Sequence, residues 1–334
     1  MTRNEIMQYT GNQSQIGGSR NYVLTDGWGR NLRGIDVNSG SGFQYTILPD
    51  RGMDISLASY KGSNLVYLTC NGETHPAFYE PENLGWLRTF TGGLLTTCGL
   101  INAGAAEIDE GEQFGLHGRY STLPARQVSD LSDWFDDEYL IKHRGIIEEG
   151  VMFGYKLRME REITTVLGHN SLKLMDKVTN FGNKPSPYTI IYHMNIGYPL
   201  LSEDAELIID PASTEPKDNR AASGINEYKR FSKPQKGYEE QVFIHTMKSD
   251  ASGKTMVTLQ NRNSGIALTI KYNAVQLPYL WQWKMMGQGD YVLGLEPSNL
   301  PCKSRRLMKE ENILPHLEPG ESVTNEIEVI ISEI

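Results

Sequence analysis

The segment IYHMNIGYPL (191–200) places two polar side chains, His193 and Asn195, on one face of a predicted strand. An imidazole titrates near neutral pH and can act as a general acid or base, and an amide two residues along can orient it. The alternative is a histidine that only hydrogen-bonds within the edge of a sandwich. We favour the first interpretation and predict that His193 is catalytic and that Asn195 binds substrate.

A glutamate stands at the end of a predicted buried strand. The segment YVLGLEPSN (291–299) is apolar up to Glu296 and is stopped by Pro297. Burial raises the pKa of such a carboxyl group towards neutral pH, where a general acid or base needs it. The alternative is a strand-terminal charge that faces water, which is the commoner position for a glutamate.

A third segment, GLHGRYS (115–121), holds His117 between glycines and Arg119 two residues on. If the segment is extended, both side chains lie on the same strand face, and the glycines allow a ligand to approach closely. A surface turn with an incidental histidine is an equally good interpretation of this segment alone. We take both residues as candidate binding residues.

Tryptophans alternate with polar residues in LPYLWQWKM (277–285), where Trp281 and Trp283 flank Gln282. Flat indole rings beside polar groups suit a sugar, because its C–H faces are apolar and its hydroxyls are not. The alternative is that both tryptophans are core residues. We predict that Gln282 and Trp283 bind substrate.

Composition excludes several partners. The net charge is −9, with 32 Lys and Arg against 41 Asp and Glu, and no basic run could neutralise a nucleic-acid backbone. The first twenty residues lack a signal peptide's apolar core of roughly 7–15 residues, and no later segment reaches the roughly 20 apolar residues of a membrane span. We therefore expect a cytoplasmic protein that binds neither nucleic acid nor membrane.

Cofactor and metal chemistry also lack a signal. The three cysteines Cys70, Cys98 and Cys302 are far apart, so they suggest neither a disulfide framework nor a zinc knuckle. The sequence contains no HExxH, GxSxG, Walker or EF-hand motif and no GxGxxG after a strand. Two histidines from separate strands could still meet at a metal, but no close pair supports this. We predict no cofactor and no metal.

Strands must position these residues. Short β-branched and aromatic runs such as FQYTILP (43–49) and QVFIHTM (241–247) alternate with turn residues, and segments 155–166 and 171–181 predict a long hairpin. Helical signals are few and peripheral. So many strands without crossover helices predict antiparallel sheets packed face to face. We expect one all-β domain over 1–334, with residues 1–40 as an extension packed on a large β-sandwich.

The order of these motifs resembles a known superfamily. Arg88 in GWLRTFTGGLL, His117 in GLHGR, His193 in YHMNIGYPLL and Glu296 in LGLEPSN, followed by HLEPGES, resemble the aldose 1-epimerase (galactose mutarotase-like) superfamily. The stretch GFQYTILPDRGMDISLASYKG (42–62) is similar to one branch, a domain of unknown function called DUF4432. The resemblance covers nearly the whole chain.

This resemblance implies a β-supersandwich that interconverts the α and β anomers of a sugar without a cofactor. Glu296 matches the base that takes the proton of the anomeric hydroxyl, and His193 matches the acid that protonates the ring oxygen. We expect them on opposite sides of a pocket wide enough for a pyranose. His117 and Arg88 match sugar-binding residues, and Glu240, with Glu239 as a rival, matches an acidic residue that binds hydroxyls.

Several alternatives stay open. The chain YHMNIG departs from the common N-H-x-x-F-N-L pattern, which favours different ligand contacts and leaves the sugar unidentified. A non-catalytic carbohydrate-binding protein is the second hypothesis, and a lyase or hydrolase is a third. Convergence of Arg88, Arg119 and Lys284 would favour an anionic sugar.

Two further questions are left open: the roles of the charged residues in the stretch 42–62, which we call the branch marker, and the oligomeric state. Asp50, Arg51 and Asp54 either line the site or form a structural ion-pair network, and the network is the favoured interpretation for Asp54. An exposed sheet edge would allow a homodimer.

Overall fold

Strands dominate this computed structural model, which describes residues 2–334. The strands of the first half are β1 (Gly18–Val23), β2 (Arg33–Asn38), β3 (Phe43–Leu48), β4 (Asp54–Tyr60), β5 (Ser63–Asn64), β6 (Thr96–Leu100), β7 (Glu107–Asp109), β8 (Glu112–Phe114), β9 (Arg126–Asp130), β10 (Asp133–Phe135), β11 (Glu138–Gly150) and β12 (Lys156–Val166). Those of the second half are β13 (Ser171–Asn180), β14 (Ser186–Pro187), β15 (Thr189–Ile196), β16 (Ala205–Ile208), β17 (Pro211–Pro216), β18 (Gln241–Met247), β19 (Lys254–Asn261), β20 (Ile266–Asn273), β21 (Tyr279–Met286), β22 (Tyr291–Ser298), β23 (His316–Leu317) and β24 (Ser322–Glu333).

Helices are short and peripheral. The α-helices are α1 (Arg3–Tyr9), α2 (Asn219–Ala222) and α3 (Arg305–Glu310). The 3-10 helices are Gln13–Gln15, Gly27–Gly29, Pro76–Phe78, Gly85–Arg88, Tyr120–Thr122 and Ile225–Glu227. No helix among the residues described is long and apolar enough to cross a membrane.

Three antiparallel sheets form the body of the molecule. One has five strands in the order β1-β2-β3-β4-β5, and one has six in the order β17-β18-β21-β22-β15-β6. The third has nine, in the order β10-β11-β12-β13-β24-β20-β19-β16 with β9 paired to β11. Two small two-stranded sheets, β14-β23 and β7-β8, complete the fold. The predicted all-β class of packed antiparallel sheets is confirmed.

The six-stranded sheet is buried on both faces. On its back, Met194 and Leu295 share one apolar core with Leu268 and Val329 of the nine-stranded sheet. On its front, side chains such as Trp281 form a second apolar cluster with residues of the connecting segments. All eight residues of β15 are buried, which is why its sequence reads as a nearly continuous apolar run.

A buried ion network joins the two large sheets behind His193. Arg161 projects inward from β12 and contacts Asp176 at 2.7 Å and Asp54 at 2.9 Å. It also donates to the Thr97 hydroxyl at 2.9 Å, while the Tyr192 hydroxyl donates to Asp176 at 2.9 Å. Burial raises the pKa of Asp54 to about 6, although Arg161 opposes this shift. Asp54 is thus part of a structural network.

The N-terminal residues are more integrated than an added extension. Thr2 and Glu5 form the capping box of α1, and β1 and β2 are two of the five strands of the first sheet. The predicted hairpin is present as β12 and β13, which pair antiparallel across the turn at 167–170.

Candidate functional site

Neighbouring strands bring an imidazole and a carboxyl group together. The register of β15 with β22 pairs Met194 with Leu295, so His193 lies directly opposite Glu296 on the same face. His193 Nε2 is 3.3 Å from Glu296 Oε1, without the alignment of a hydrogen bond. Trp281 of β21 lies opposite Glu296 in the same row. We call this front face of the six-stranded sheet the site face.

The pair is more enclosed than expected. The two residues are cross-strand neighbours rather than groups on opposite sides of a pocket, and their side chains are 6% and 2% exposed. Nδ1 of His193 and Oε1 of Glu296 are buried without hydrogen-bond partners, so a ligand would meet Nε2 and Oε2. A groove of about 660 Å³ lies elsewhere, on the five-stranded sheet.

Burial favours the uncharged form of both groups. It raises the pKa of Glu296 well above its usual value, and the charge of Glu240 raises it further while Lys217 opposes the shift. It lowers the pKa of His193 to about 4, against the effect of the Asn195 side chain. When the pair holds one proton, burial therefore favours that proton on the carboxyl group rather than on the imidazole.

A glycine leaves room for the carboxyl group. Gly294 lies two residues before Glu296 on the same face, and a Cβ there would lie 2.3 Å from Glu296 Oε1 and 2.9 Å from Trp283 Cβ. Any other residue would force the carboxyl group or the indole to move.

Asn195 lies two residues from His193 on β15 and makes hydrogen bonds to backbone carbonyls. Its amide donates to the carbonyls of Gly93 at 3.1 Å and His193 at 2.9 Å, and the residue is fully buried. Its Oδ1 has no hydrogen-bond partner among residues 2–334. Asn195 therefore holds two backbone carbonyls next to the site and does not lie where it can touch a ligand.

Aromatic rings cover the pair. The ring centroids of Phe90 and Trp283 lie 5.4 and 5.5 Å from that of His193, and Trp86 lies 6.4 Å away and stacks on Phe90. The His117 ring is edge-on to His193 at 5.5 Å. Sequence reasoning did not select Trp86 and Phe90, because PENLGWLRTF (81–90) indicates only a short peripheral helix.

His117 belongs to a turn, which is the second of the two interpretations that the sequence left open. His117 and Gly118 have φ of 58° and 71°, and the 3-10 helix Tyr120–Thr122 follows. A Cβ on Gly118 would lie 2.1 Å from the Asn102 carbonyl oxygen, so only glycine fits. His117 and Arg119 therefore share no strand face. Arg119 is exposed.

The charged candidates have different surroundings. Glu240 accepts a hydrogen bond from Trp283 Nε1 at 2.7 Å, so it borders the site face. Glu239 is 81% exposed and lies 3.9 Å from Arg220. Arg88 pairs with Glu80 and is 69% exposed, and among the residues described no hydrogen bond or salt bridge joins it to His193 or Glu296.

Gln282 lies on the opposite face of the sheet from His193, which does not fit its prediction as a binding residue. Its Nε2 donates to the Tyr228 carbonyl at 2.7 Å, and its Oε1 lies 3.0 Å from His245 Nε2. Lys284 lies on the same face as Gln282, the back of the sheet, and donates to the Glu227 carbonyl at 2.8 Å. Lys284 thus faces away from His193, because alternate residues of a strand face opposite sides, and the predicted convergence of three cations lacks one member.

One cation that the sequence analysis missed belongs to the edge of the site face. The register of β17 with β18 pairs Pro216 with Phe243, and Lys217 donates its backbone N–H to Val242 at 2.9 Å. Lys217 therefore lies on the same face as Trp283. Its charge opposes the rise that burial causes in the pKa of Glu296. No group of three or more potential metal ligands was found in the described part of the chain.

Comparisons with known proteins agree with this architecture. The model of the DUF4432 family, a domain of unknown function, matches residues 29–331. A search of curated proteins gave no match. A candidate aldose 1-epimerase from Klebsiella pneumoniae has 26% identity and a TM-score of 0.88, over 99% of this chain and 90% of that one.

Two more distant structures share the fold. A galactose mutarotase-like protein from Clostridium acetobutylicum has 15% identity and a TM-score of 0.62, over 96% of this chain and 100% of that one. A galactose 1-epimerase from Lactobacillus acidophilus has 14% identity and a TM-score of 0.62, over 95% and 99%. The galactose mutarotase-like fold is therefore confirmed.

Proposed function

Because the chain belongs to the DUF4432 family and its site face joins an imidazole to a carboxyl group, we propose that it is a mutarotase-type isomerase. It would interconvert the α and β anomers of an aldose or modified aldose in the cytoplasm. The observation that carries this proposal is the 3.3 Å separation of His193 Nε2 and Glu296 Oε1 beneath a cover of aromatic rings. The names of the Klebsiella and Lactobacillus structures support the same reaction class.

The reaction needs one proton donor and one proton acceptor. Ring opening removes the proton of the anomeric hydroxyl, delivers a proton to the ring oxygen, breaks the C1–O5 bond and forms the C1 carbonyl. After rotation about C1–C2, the reverse transfers close the other anomer. No cofactor takes part.

A pair that holds a single proton supplies both functions. The resemblance assigns the base to Glu296 and the acid to His193, whereas burial of both groups favours the proton on Glu296. The pair is competent with the proton on either group, because one member donates while the other accepts. Which group meets the ring oxygen then depends on the orientation of the bound sugar.

The surrounding residues fit sugar binding. The partly exposed ring of Trp283 offers an apolar face for the C–H groups of a sugar, and the buried rings of Trp86 and Phe90 pack beside the His193 ring. Glu240, held by the Trp283 indole, and His117 are the polar groups that border the pair. We assign Asn195 to the orientation of His193.

The test is magnetisation-transfer NMR of anomer exchange over a panel of glucose, galactose, glucuronate and glucose 6-phosphate. At least one sugar should exchange faster than its spontaneous rate. Glu296→Gln and His193→Gln should each lower that rate by about 10²- to 10⁴-fold. Glu149→Gln is the matched control, because this buried carboxyl group holds the backbone N–H groups of Leu100 and Ile101 and lies outside the pair.

Three results would contradict the proposal. Unchanged exchange in Glu296→Gln would remove the carboxyl group from the mechanism. Sugar binding without exchange would identify a non-catalytic carbohydrate-binding protein. A new reducing end or an unsaturated product would identify a hydrolase or lyase.

A further inference from the structure

The cover of the site comes from a segment with little secondary structure of its own. Residues 69–91, which we call the covering segment, contain turns and two 3-10 helices. This segment supplies Trp86 and Phe90. A segment without strand pairing depends on side-chain contacts to fix its position. The Asn71 amide and the Thr69 hydroxyl already hold the Phe90 carbonyl from within the segment.

A buried arginine from the branch marker holds the same segment from outside. Arg51 is 2% exposed and donates from Nη1 to the Thr74 carbonyl at 2.7 Å and from Nη2 to the Thr89 carbonyl at 2.9 Å. The two acceptors are fifteen positions apart, and Thr89 lies between Trp86 and Phe90. The guanidinium fork therefore fastens two distant points of the covering segment to one place.

Arg51 makes no salt bridge within 4 Å in the described residues, unlike Arg161. Burial lowers its pKa to about 10, against the charges of Asp54 and Glu73. A buried cation is costly unless its donors are used, and here the donors go to backbone carbonyls of the covering segment. This arrangement differs from both earlier interpretations, since Arg51 neither lines the site nor pairs within an ion network.

Building on the proposed function, we propose that Arg51 is a positioning residue for the sugar site. It holds the segment 69–91 so that the rings of Trp86 and Phe90 lie against His193 as a fixed wall. This wall of two buried rings shapes the side of the site that a sugar meets before any proton moves. This role assigns a physical task to the arginine of PDRGMDI.

The proposal separates binding from proton transfer. Removing Arg51 leaves His193 and Glu296 in place, so exchange at saturating sugar should persist. A looser wall should weaken sugar affinity. Arg51→Met should therefore raise KM by about tenfold and leave kcat nearly unchanged, since hydrogen bonds to a charged group are worth about this factor or more. Arg51→Lys, which can reach one carbonyl, should fall between Arg51→Met and the parent.

A double-mutant cycle with Trp86→Ala distinguishes positioning from general destabilisation. If Arg51 acts through the wall, Arg51→Met should change KM much less in the Trp86→Ala background than in the parent. The proposal would be overturned if the effects of Arg51→Met and Trp86→Ala on KM multiply in the double variant. A fall of kcat in Arg51→Met as large as the rise of KM would also overturn it.

Hydrogen exchange in Arg51→Lys tests the same idea without a substrate. Backbone amides of residues 69–91 should exchange about tenfold faster, while those of β15 and β22 stay protected. Uniformly faster exchange over the chain, or no change in 69–91, would overturn the positioning role. If the parent exchanges no sugar anomers, the proposed function fails, while this measurement still decides whether Arg51 holds the segment.

Discussion

At the residue scale, the site depends on how burial changes two ordinary titrations. A free carboxyl group and a free imidazole titrate with pKa values of about 4.3 and 6.5. Near pH 7 the carboxyl group is therefore charged, the imidazole is mostly neutral, and both have lost the proton that titrates. On the site face, burial raises the pKa of Glu296 and lowers that of His193 to about 4. Both shifts favour a form of the pair in which one proton is held by the carboxyl group and none is gained by the imidazole, which is what coupled proton transfer needs.

This proton count predicts the pH dependence of exchange. The pair gains a second proton only when His193 is protonated, below about pH 4, and loses its proton only above the raised pKa of Glu296. The catalysed kcat/KM, after subtraction of the spontaneous rate at each pH, should therefore not fall as the pH is lowered from about 7 to about 5, because His193 gains its second proton only near pH 4. A fall of kcat/KM below about pH 6.5, the value for free imidazole, would contradict this.

At the element scale, strands could be predicted well where their sequences alternate or are strongly apolar. The strand Gln241–Met247 has the bounds expected from QVFIHTM. The edge strand Pro211–Pro216 was missed, because PASTEP is polar and begins and ends with proline, as only an edge strand allows. Its neighbour Lys217 was missed with it.

The face of a strand is harder to predict than the strand itself. The alternation of Trp281 and Trp283 with Gln282 is visible in the sequence, but both faces of β21 are largely buried, so polarity does not tell which face carries the site. The turn at His117 was undecided for another reason, because flanking glycines permit both an extended strand and a left-handed turn.

The buried network behind the site should contribute strongly to stability. Arg161→Met would leave Asp54 and Asp176 buried without their cation, so we expect a loss of about 3–5 kcal/mol in the free energy of unfolding. Urea unfolding with an unchanged m value measures this. Arg126→Met is the matched control, because its partner Glu148 is at the surface, and its midpoint should stay close to that of the parent. A similar midpoint for both variants would contradict the assignment.

At the scale of the whole molecule, the six-stranded sheet is the element that links fold to function. Its back packs on the nine-stranded sheet, and its front holds His193 and Glu296 under the covering segment. The sandwich keeps β15 and β22 in one register, so two residues more than a hundred positions apart meet without any local sequence signal. The homodimer that the sequence analysis left open would pair an edge strand such as β17 with its copy.

The most direct test of this account is a crystal structure with the 1,5-anhydro derivative of the panel sugar that exchanges fastest, since this ligand lacks an anomeric hydroxyl and cannot react. The account predicts the ring oxygen at about 2.6–3.2 Å from His193 Nε2 or Glu296 Oε2, with a ring face against Trp86, Phe90 or Trp283. A sugar found only in the groove of the five-stranded sheet, or on the site face with its ring oxygen away from both groups, would contradict it.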